Sequence, residues 1–294
     1  MNKNRDKSTF FSPKRIFDFN GKRMDFTTPR VMGILNVTPD SFYDGARGRL
    51  DDWTIGRLVE FMCKVDDMIR EGAYIIDIGA VSTRPGASEV TGEEEKRRLL
   101  PVLKEIRKVY PTIIISIDTY RAEIARIAAG EGADMINDIS GGTFDRQMIS
   151  TIAHLGIPFI IMHIQGTPEN MQLNPDYEDV VKEVRSFLLQ QARKLESAGH
   201  DQIILDPGFG FGKTVEHNYQ ILEGLNDFVT TGYPVLAGLS RKSMINRVLS
   251  IKPDDALNGT TVLNTIALLK GASILRVHDV REAVEAVKLI NEII

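Results

Sequence analysis

Polar and charged residues follow short apolar runs along this chain, and their types suit recognition of a small planar molecule. A 2-amino-4-oxo-pyrimidine edge presents an NH2 group and a ring N–H side by side, and one carboxylate can accept hydrogen bonds from both. Asp118 and Asp206 offer carboxylates, and Asn137 offers a mixed donor and acceptor. Lys242 can donate to an exocyclic oxygen or ring nitrogen, and Met162 can form an apolar floor. These five residues predict a site for a polar heterocycle.

A second group of residues has the chemistry of an anion site. Arg84 and Arg276 carry guanidinium forks, and His278 carries an imidazole. Thr83 and Asn36 add a hydroxyl and an amide. A diphosphate needs several charge-assisted donors of this kind. Each arginine taken singly is better explained as a surface or ion-pair residue, but the group together, at three adjacent strand ends, favours an anion site. Asn36 could also hold a Mg2+ ion bound by the diphosphate, because Mg2+ keeps waters and takes few protein ligands.

Two long loops are candidates for lids over a bound substrate. Residues 37–49 and 80–92 contain Gly and Pro and follow the first two apolar runs. Loops of this length in a compact domain are commonly functional. We expect Phe211, Pro85 and Ser243 to border the place of a second substrate.

The stretch 202–213, QIILDPGFGFGK, superficially resembles a nucleotide phosphate loop. The Walker loop needs a glycine where this chain has Pro207, and the dinucleotide fingerprint GxGxxG is not met by Gly208, Gly210 and Gly212. An apolar run that ends in Asp-Pro-Gly instead indicates a strand that delivers an acid to a loop. We expect the alternating glycines to leave room for substrate, and one of the two phenylalanines to face it.

Eight short apolar runs supply the strands that must position these residues. They are nearly continuous in apolar character, as expected of strands buried on both faces, and segments with helical periodicity separate them. This alternation predicts a parallel (β/α)8 or TIM barrel, with an open doubly wound sheet as the competitor. In a barrel the polar strand ends converge on one rim. The runs are residues 31–35, 74–78, 113–117, 134–137, 158–162, 202–205, 234–238 and 273–277.

The segment 15–26, RIFDFNGKRMDF, alternates apolar and polar residues around Asn20-Gly21. This pattern predicts a β-hairpin, which we expect to cap the N-terminal end of the barrel. Residues 1–14 are expected to form a flexible arm, and residues 15–294 a single domain. Helical periodicity is clearest over residues 176–198, 255–270 and 279–293.

Helix capping is a simpler explanation for some of the polar strand ends. Asp138, Ser140 and Asp279 are placed where an N-cap residue would stand. Capping does not explain polar residues at all eight ends, with arginine, lysine and histidine among them. The rim as a whole therefore predicts a binding site.

The composition limits the class of partner. The 294 residues are 43% hydrophobic and 26% charged, with a formal net charge of −4, which is ordinary for a globular chain. A slightly acidic chain has no overall attraction for nucleic acid or for an anionic membrane. No run reaches the roughly 20 apolar residues of a membrane span, and the polar N-terminus lacks the apolar core of a signal peptide. We therefore expect a cytoplasmic protein with neither partner.

Eight blocks of sequence resemble the dihydropteroate synthase family, in order, over roughly residues 31–280. The blocks are ILNVTPDSFYDG, DIGAVSTRPGA, SIDTYR, INDISGG, MHIQGTPENMQ, ILDPGFGFGK, GLSRKS and RVHDV. The resemblance implies a (β/α)8 barrel that joins (7,8-dihydropterin-6-yl)methyl diphosphate to 4-aminobenzoate and releases diphosphate. It also implies a homodimer. Ala80-Val81 departs from the Gly-Gly or Gly-Glu that the family often has at this point.

The resemblance also assigns roles to residues. It assigns the pterin to Asp118, Asn137, Asp206 and Lys242, and the diphosphate and Mg2+ to Asn36, Thr83, Arg84, Arg276 and His278. It assigns 4-aminobenzoate to the two loops, with Thr38, Pro39 and Pro85, and to Phe211, Lys242 and Ser243.

The family's dissociative route implies a mechanism. Diphosphate leaves once Mg2+ and the basic residues neutralise it, and Asp118 and Asp206 stabilise the cationic pterin methylene that remains. Asp118, Asp206, Lys242 and Arg276 are thus the expected catalytic residues. We further expect Arg276→Ala to impair diphosphate binding and turnover while leaving pterin recognition largely intact.

Two alternatives share part of this pattern. A barrel that transfers a methyl group from methyltetrahydrofolate to a corrinoid protein would bind a pterin, but would not need the anion cluster. A catalytically inactive homologue would be expected to lack one of the key polar residues, and none is missing from the sequence.

Overall fold

A two-stranded hairpin precedes the main sheet, as the sequence predicts. The computed structural model describes residues 16–38, 55–81 and 90–293. Strands β1 (Ile16–Phe19) and β2 (Lys22–Asp25) pair antiparallel. Asn20 and Gly21 between them have φ values of 47° and 73°. A tight hairpin turn of this kind needs positive φ at both central residues, which is why Asn-Gly is favoured there. The predicted arm, residues 1–14, lies outside the described residues.

Eight parallel strands alternate with helices and form one sheet, which confirms the predicted barrel. Hydrogen-bonded neighbours run in the order β8-β7-β6-β5-β4-β3-β10-β9, and a bridge between Leu205 and Val235 joins the two ends. The strands are β3 (Arg30–Asn36), β4 (Ile75–Gly79), β5 (Ile114–Asp118), β6 (Met135–Asp138), β7 (Phe159–Met162), β8 (Ile203–Asp206), β9 (Leu236–Ala237) and β10 (Ile274–Val277).

Strand β4 illustrates how the sequence alternates between two environments. Ile76 and Ile78 pack in the large core between the sheet and the helices. Ile75 joins a separate apolar cluster inside the barrel. Because successive side chains point to opposite faces of a strand, Asp77 and Gly79 share the inward face with Ile75. The barrel interior is therefore apolar at its base and polar towards the strand ends.

The hairpin closes the apolar base of the barrel. Phe17, Phe19 and Met24 pack in one buried cluster with inward side chains from all eight barrel strands. Lys22 of β2 also binds the buried carboxylate of Asp134 at the start of β6, at 2.8 Å. The expectation that the hairpin caps the N-terminal end is confirmed, so a ligand must enter from the other rim.

Ten α-helices lie among the described residues, and the three predicted helical segments correspond to α5, α9 and α10. Within these residues no helix combines the length and apolar character that a membrane crossing needs. The helices are α1 (Ile55–Glu71), α2 (Gly92–Val109), α3 (Ala122–Gly130), α4 (Met148–Leu155), α5 (Val180–Ser197), α6 (Val215–Glu223), α7 (Leu225–Val229), α8 (Ser243–Leu249), α9 (Leu257–Leu269) and α10 (Val280–Asn291).

Candidate functional site

The strand register brings predicted site residues to the same height of the barrel rim. Asn36 of β3 lies opposite Gly79 of β4, and Gly79 lies opposite Asp118 of β5. Asp118 in turn lies opposite Asn137 of β6. Met162 of β7 and Asp206 of β8 lie opposite each other, two residues further along their strands than Ile160, which lies opposite Asn137. Residues far apart in the sequence therefore meet around one opening.

Arg276 ties two strands together at the centre of this rim. Its Nε donates to Asp77 Oδ2 at 2.7 Å, and its Nη2 donates to Asp118 Oδ2 at 2.8 Å. The sequence places Arg276 in the anion group and Asp118 in the heterocycle group. The ion pair shows that the two groups are one connected network.

Asp77 is the member of the network to which the sequence analysis assigns no role. Its side chain is fully buried, and Asn137 Nδ2 donates to its Oδ2 at 3.2 Å. The signal for Asp77 is visible in the sequence YIIDI, where an acid interrupts a buried strand. A charge at such a position is rare unless it is paired.

Burial and mutual attraction shift the ionisation of the network. Burial raises the pKa of Asp118 to about 7, although Arg276 opposes the shift. Burial also raises the pKa of Asp206, opposed by Lys242. Burial alone would lower the pKa of Arg276. The carboxylates of Asp77 and Asp118 together have the larger effect and raise that pKa above its usual value. Groups perturbed in this way, gathered at one opening, are typical of a functional site.

Lys242 lies close enough to Asp206 and Arg276 for both charges to affect its ionisation. Burial lowers its pKa to about 8, against the attraction of Asp206. The Lys242 ammonium donates to the carbonyl of Phe209 and lies 4.8 Å from the centre of the Phe211 ring. Lys242 is therefore mostly protonated at neutral pH and can donate a hydrogen bond to a ligand.

The turn after β8 sets one wall of the opening. Phe209 is fully buried in the core, whereas Phe211 is half-buried and packs on a small cluster that includes Met162. Of the two phenylalanines, only Phe211 is placed where it could face a substrate, and that contact stays a prediction. Phe211 and Met162 together give the site its apolar surface.

Two glycines of this turn make room for the protein's own backbone, whereas the expected room for substrate stays a prediction. A Cβ on Gly208 would stand 2.0 Å from the carbonyl oxygen of His163, and φ is +71°. A Cβ on Gly212 would stand 2.6 Å from the carbonyl oxygen of Gln165. The turn packs directly on the backbone that follows β7, and only glycine allows so close an approach.

The anion side of the rim is only partly described. His278 is exposed, and its Nδ1 lies 3.0 Å from Ser240 Oγ. Thr38 is half-buried after β3, and Ser243 is exposed at the start of α8. The predicted residues Pro39, Thr83, Arg84 and Pro85, and most of both predicted loops, lie outside the described residues.

The described residues are compatible with Mg2+ only if the substrate supplies most of the ligands. Among them, no group of three or more His, Cys, Asp or Glu side chains could hold a metal ion. Gly79 leaves a gap between two oxygens, because a Cβ there would stand 3.7 Å from both Asn36 Oδ1 and Asp118 Oδ2. One amide oxygen, waters and a diphosphate would suit the preferences of Mg2+.

Comparison with known proteins gives a consistent family. A family profile described as "Pterin binding enzyme" matches residues 32–278. Dihydropteroate synthase from Escherichia coli strain K12 is 43% identical over 273 residues, which cover 92% of this chain and 94% of that protein. The Haemophilus influenzae enzyme of the same name is 45% identical, covering 92% and 96%. The chain belongs to the dihydropteroate synthase family.

Solved structures of that family share the fold. The Yersinia pestis dihydropteroate synthase, described as a sulfonamide drug complex, superposes with a TM-score of 0.87 at 38% identity, covering 95% of this chain and 98% of that one. The Xanthomonas albilineans enzyme, described with 4-aminobenzoic acid, gives a TM-score of 0.86 at 37% identity, covering 96% and 98%.

A buried lysine holds the turn that follows β8. Lys213 donates to the carbonyl oxygens of Gly208 and Phe211, each at 2.9 Å, and lies 3.0 Å from His163 Nδ1. Burial and the lysine lower the pKa of His163 to about 3. His163, a polar strand end in the sequence, is therefore a neutral packing partner that holds the turn in place.

The helix-capping explanation is wrong for the side chains of all three residues, and Ser140 Oγ accepts from the backbone of Thr143 and Phe144 within a loop. Asp138 accepts from Ser140 and Gly142, so it organises a turn after β6 and not a helix start. Asp279 makes no side-chain cap to α10 and instead binds Arg241 through both carboxylate oxygens, at 2.6 and 3.0 Å. These residues fix the loops around the site.

An open cleft of about 560 Å3 lies elsewhere, between α5 and α6. Its lining includes Glu178, Asp179, Glu223 and Asp227, with Lys182 opposing them. A mainly acidic lining repels anionic ligands, so this cleft is a poor match for a diphosphate or a benzoate.

Proposed function

We infer that this chain carries out the reaction of its family, joining (7,8-dihydropterin-6-yl)methyl diphosphate to 4-aminobenzoate with release of diphosphate. The observation that carries the inference is the network in which Arg276 binds Asp77 and Asp118 at the rim. Such a network offers acceptors to a pterin and positive charge to a diphosphate within one opening.

The pterin is held by the acceptors of the inner rim. Asp206 accepts from the 2-amino group and the neighbouring ring N–H, and Asn137 contacts the same edge. Lys242 donates to the oxygen or ring nitrogen on the other side, supported by its position beside Asp206. Met162 lies beneath the ring, supported by its place in an apolar cluster with Phe211.

Charge complementarity drives the departure of diphosphate. Arg276 and His278 lie towards the leaving group, and Thr83 and Arg84 are proposed to join them. A Mg2+ ion, when bound by Asn36 and the diphosphate oxygens, supplies further positive charge. Asp118 and Asp206 stabilise the positive charge that develops on the pterin methylene, because carboxylates in a poorly solvated site interact strongly with a nearby cation.

The amine of 4-aminobenzoate then attacks the methylene. Phe211 and Ser243 border this substrate, with Thr38, Pro39 and Pro85 from the two loops. The position of Phe211 under the Lys242 ammonium supports the assignment, since a ring and a cation can hold an aromatic acid. The similar Xanthomonas albilineans enzyme is described with 4-aminobenzoic acid.

The homodimer is also a proposal. Exposed apolar side chains lie on α8 at Val248 and Leu249, and on α9 at Val262 and Leu269. A second copy could cover them. Light scattering should give twice the chain mass, and Leu269→Glu should reduce it. The cytoplasmic location stays a prediction, which cell fractionation would test.

Product analysis tests the reaction. The purified protein, mixed with both substrates and Mg2+, should form 7,8-dihydropteroate, detected by mass spectrometry, with an equal amount of diphosphate, detected by a pyrophosphatase-coupled phosphate assay. Omission of either substrate should abolish product. Pterin binding without any product under these conditions would refute the proposed activity and favour an inactive homologue.

A further inference from the structure

Asp77 lies one layer below the residues assigned to substrate. Its side chain is fully buried, so a ligand at the rim meets Arg276 and Asn137 before it could meet Asp77. Both of those side chains donate to the same oxygen, Asp77 Oδ2, at 2.7 and 3.2 Å. Asp77 can therefore act on a substrate only through them.

The chemistry of a carboxylate fixes the orientation of its neighbours. An ionised carboxylate accepts hydrogen bonds and cannot donate them, so each neighbouring polar group must turn a donor towards it. Asn137 meets this requirement by donating from Nδ2. The oxygen of the same amide then lies on the other branch of the group, away from Asp77, and is available to accept from a donor in the opening.

We propose that Asp77 is a positioning residue that sets the hydrogen-bond polarity of the pterin site by fixing the Asn137 amide and the Arg276 guanidinium from below. The inference rests on the proposed function. With Asn137 oriented in this way, the site prefers a ligand that presents an N–H donor at its 2-position. A pterin has an amino group there, whereas the corresponding 2,4-dioxo compound, a lumazine, has a carbonyl acceptor.

Ser116 offers a matched control at the same level of the barrel. It lies directly opposite Asp77 on the neighbouring strand and is likewise fully buried. Its hydroxyl has no hydrogen-bond partner, so Ser116→Ala removes a buried polar atom without disturbing Arg276 or Asn137. A general effect of altering this layer would appear in both variants, whereas the positioning role belongs to Asp77 alone.

Asp77→Asn is the most informative variant. The amide has nearly the shape of the carboxylate but can donate as well as accept, so Asn137 is no longer forced to turn its nitrogen downwards. Calorimetry should compare 6-hydroxymethylpterin with 6-hydroxymethyllumazine. The affinity ratio is the affinity for the pterin divided by the affinity for the lumazine. Loss of one enforced hydrogen bond, about 1.4 kcal/mol, predicts that this ratio falls about tenfold. The KM for the pterin substrate should rise, while the KM for 4-aminobenzoate stays constant.

A second variant separates this role from damage to the fold. Asn137→Ala should reduce the ratio as Asp77→Asn does, and the double variant should show no further fall, because both act through one amide. Thermal unfolding shows which variants are folded. If Asp77→Asn does not fold, a folded Asn137→Ala with an unchanged pterin-to-lumazine affinity ratio overturns the inference.

The outcomes distinguish failure of the proposed function from failure of the positioning role. A wild-type protein that binds no pterin refutes the proposed function and this inference together. A wild-type protein that prefers the pterin, with the same preference in folded Asp77→Asn, overturns only the positioning role. An equal fall of the affinity ratio in Ser116→Ala would also overturn the positioning role.

Discussion

Arg276→Ala is expected to weaken both stability and pterin recognition, because the guanidinium bridges Asp77 and Asp118. This revises the simpler expectation from sequence, in which only the diphosphate side suffers. Removing one partner of a buried ion pair typically costs about 3–5 kcal/mol. The side chains of Arg276 and Asp118 remain 21% and 19% exposed, so we expect the lower end, about 3 kcal/mol.

The loss of folding stability in Arg276→Ala should depend on pH. Arg276 lowers the pKa of Asp118 against the stronger effect of burial, which leaves it at about 7. Without the guanidinium the pKa rises further above its unfolded value. A raised carboxyl pKa gives stability that is present at low pH and is lost as pH rises through the folded pKa. The part of the stability loss that comes from Asp118 should therefore appear above pH 7 and disappear below it.

Two assays test the prediction together. Urea unfolding at pH 6 and pH 8.5 should show a larger deficit at the higher pH, and calorimetry near neutral pH should show at least about tenfold weaker binding of a pterin without diphosphate. Arg281→Ala is a suitable control, since Arg281 makes only an exposed 3.5 Å pair with Glu71. Wild-type pterin affinity, with a loss of stability independent of pH, would show that Arg276 neither supports the pterin site nor controls the ionisation of Asp118.

Three further predictions follow from the site and the base of the barrel. The pH profile of kcat/KM should rise as Asp118 ionises with a pKa of about 7 and fall as Lys242 loses its proton with a pKa of about 8; Lys242→Arg should move the falling limb up by at least about one pH unit, and an unmoved limb would exclude Lys242. Gly208→Ala should lower pterin affinity more than Gly199→Ala, measured by calorimetry, because both have positive φ but only the first meets a backbone oxygen; equal losses would point to backbone strain alone. Asp134→Ala should destabilise the fold by about 3 kcal/mol in urea unfolding with little change in kcat/KM, because it leaves two basic side chains unpaired at the barrel base; a loss of activity at full stability would contradict this.

Regular features of the fold could be predicted because each has a local cause in the sequence. The hairpin follows from Asn20-Gly21 between two segments of alternating apolar and polar residues. The eight barrel strands follow from apolar runs with the length of short strands. The least regular strand is β9, predicted over 234–238 but only Leu236–Ala237 in the structure. Its neighbour Val235 closes the barrel through a single bridge, which no local pattern records.

Contacts between distant strands could not be predicted from local pattern. Arg276 binds Asp77 across 199 positions, and sequence spacing gives no sign of that pairing. The buried position of His163 depends on Lys213, which reaches it from the turn after the next strand. The sequence could therefore name the polar strand ends, but only the assembled barrel separates those that face a ligand from those that hold the loops.

Diphosphate release that depends on both substrates is the most direct measure of the proposed reaction. The wild-type protein should release diphosphate only when the pterin diphosphate, 4-aminobenzoate and Mg2+ are all present. Asp206→Asn should remain folded and lose most of this release, since it removes the carboxylate that accepts the pterin edge. Undiminished release by Asp206→Asn, or no release by the wild-type protein, would contradict the account.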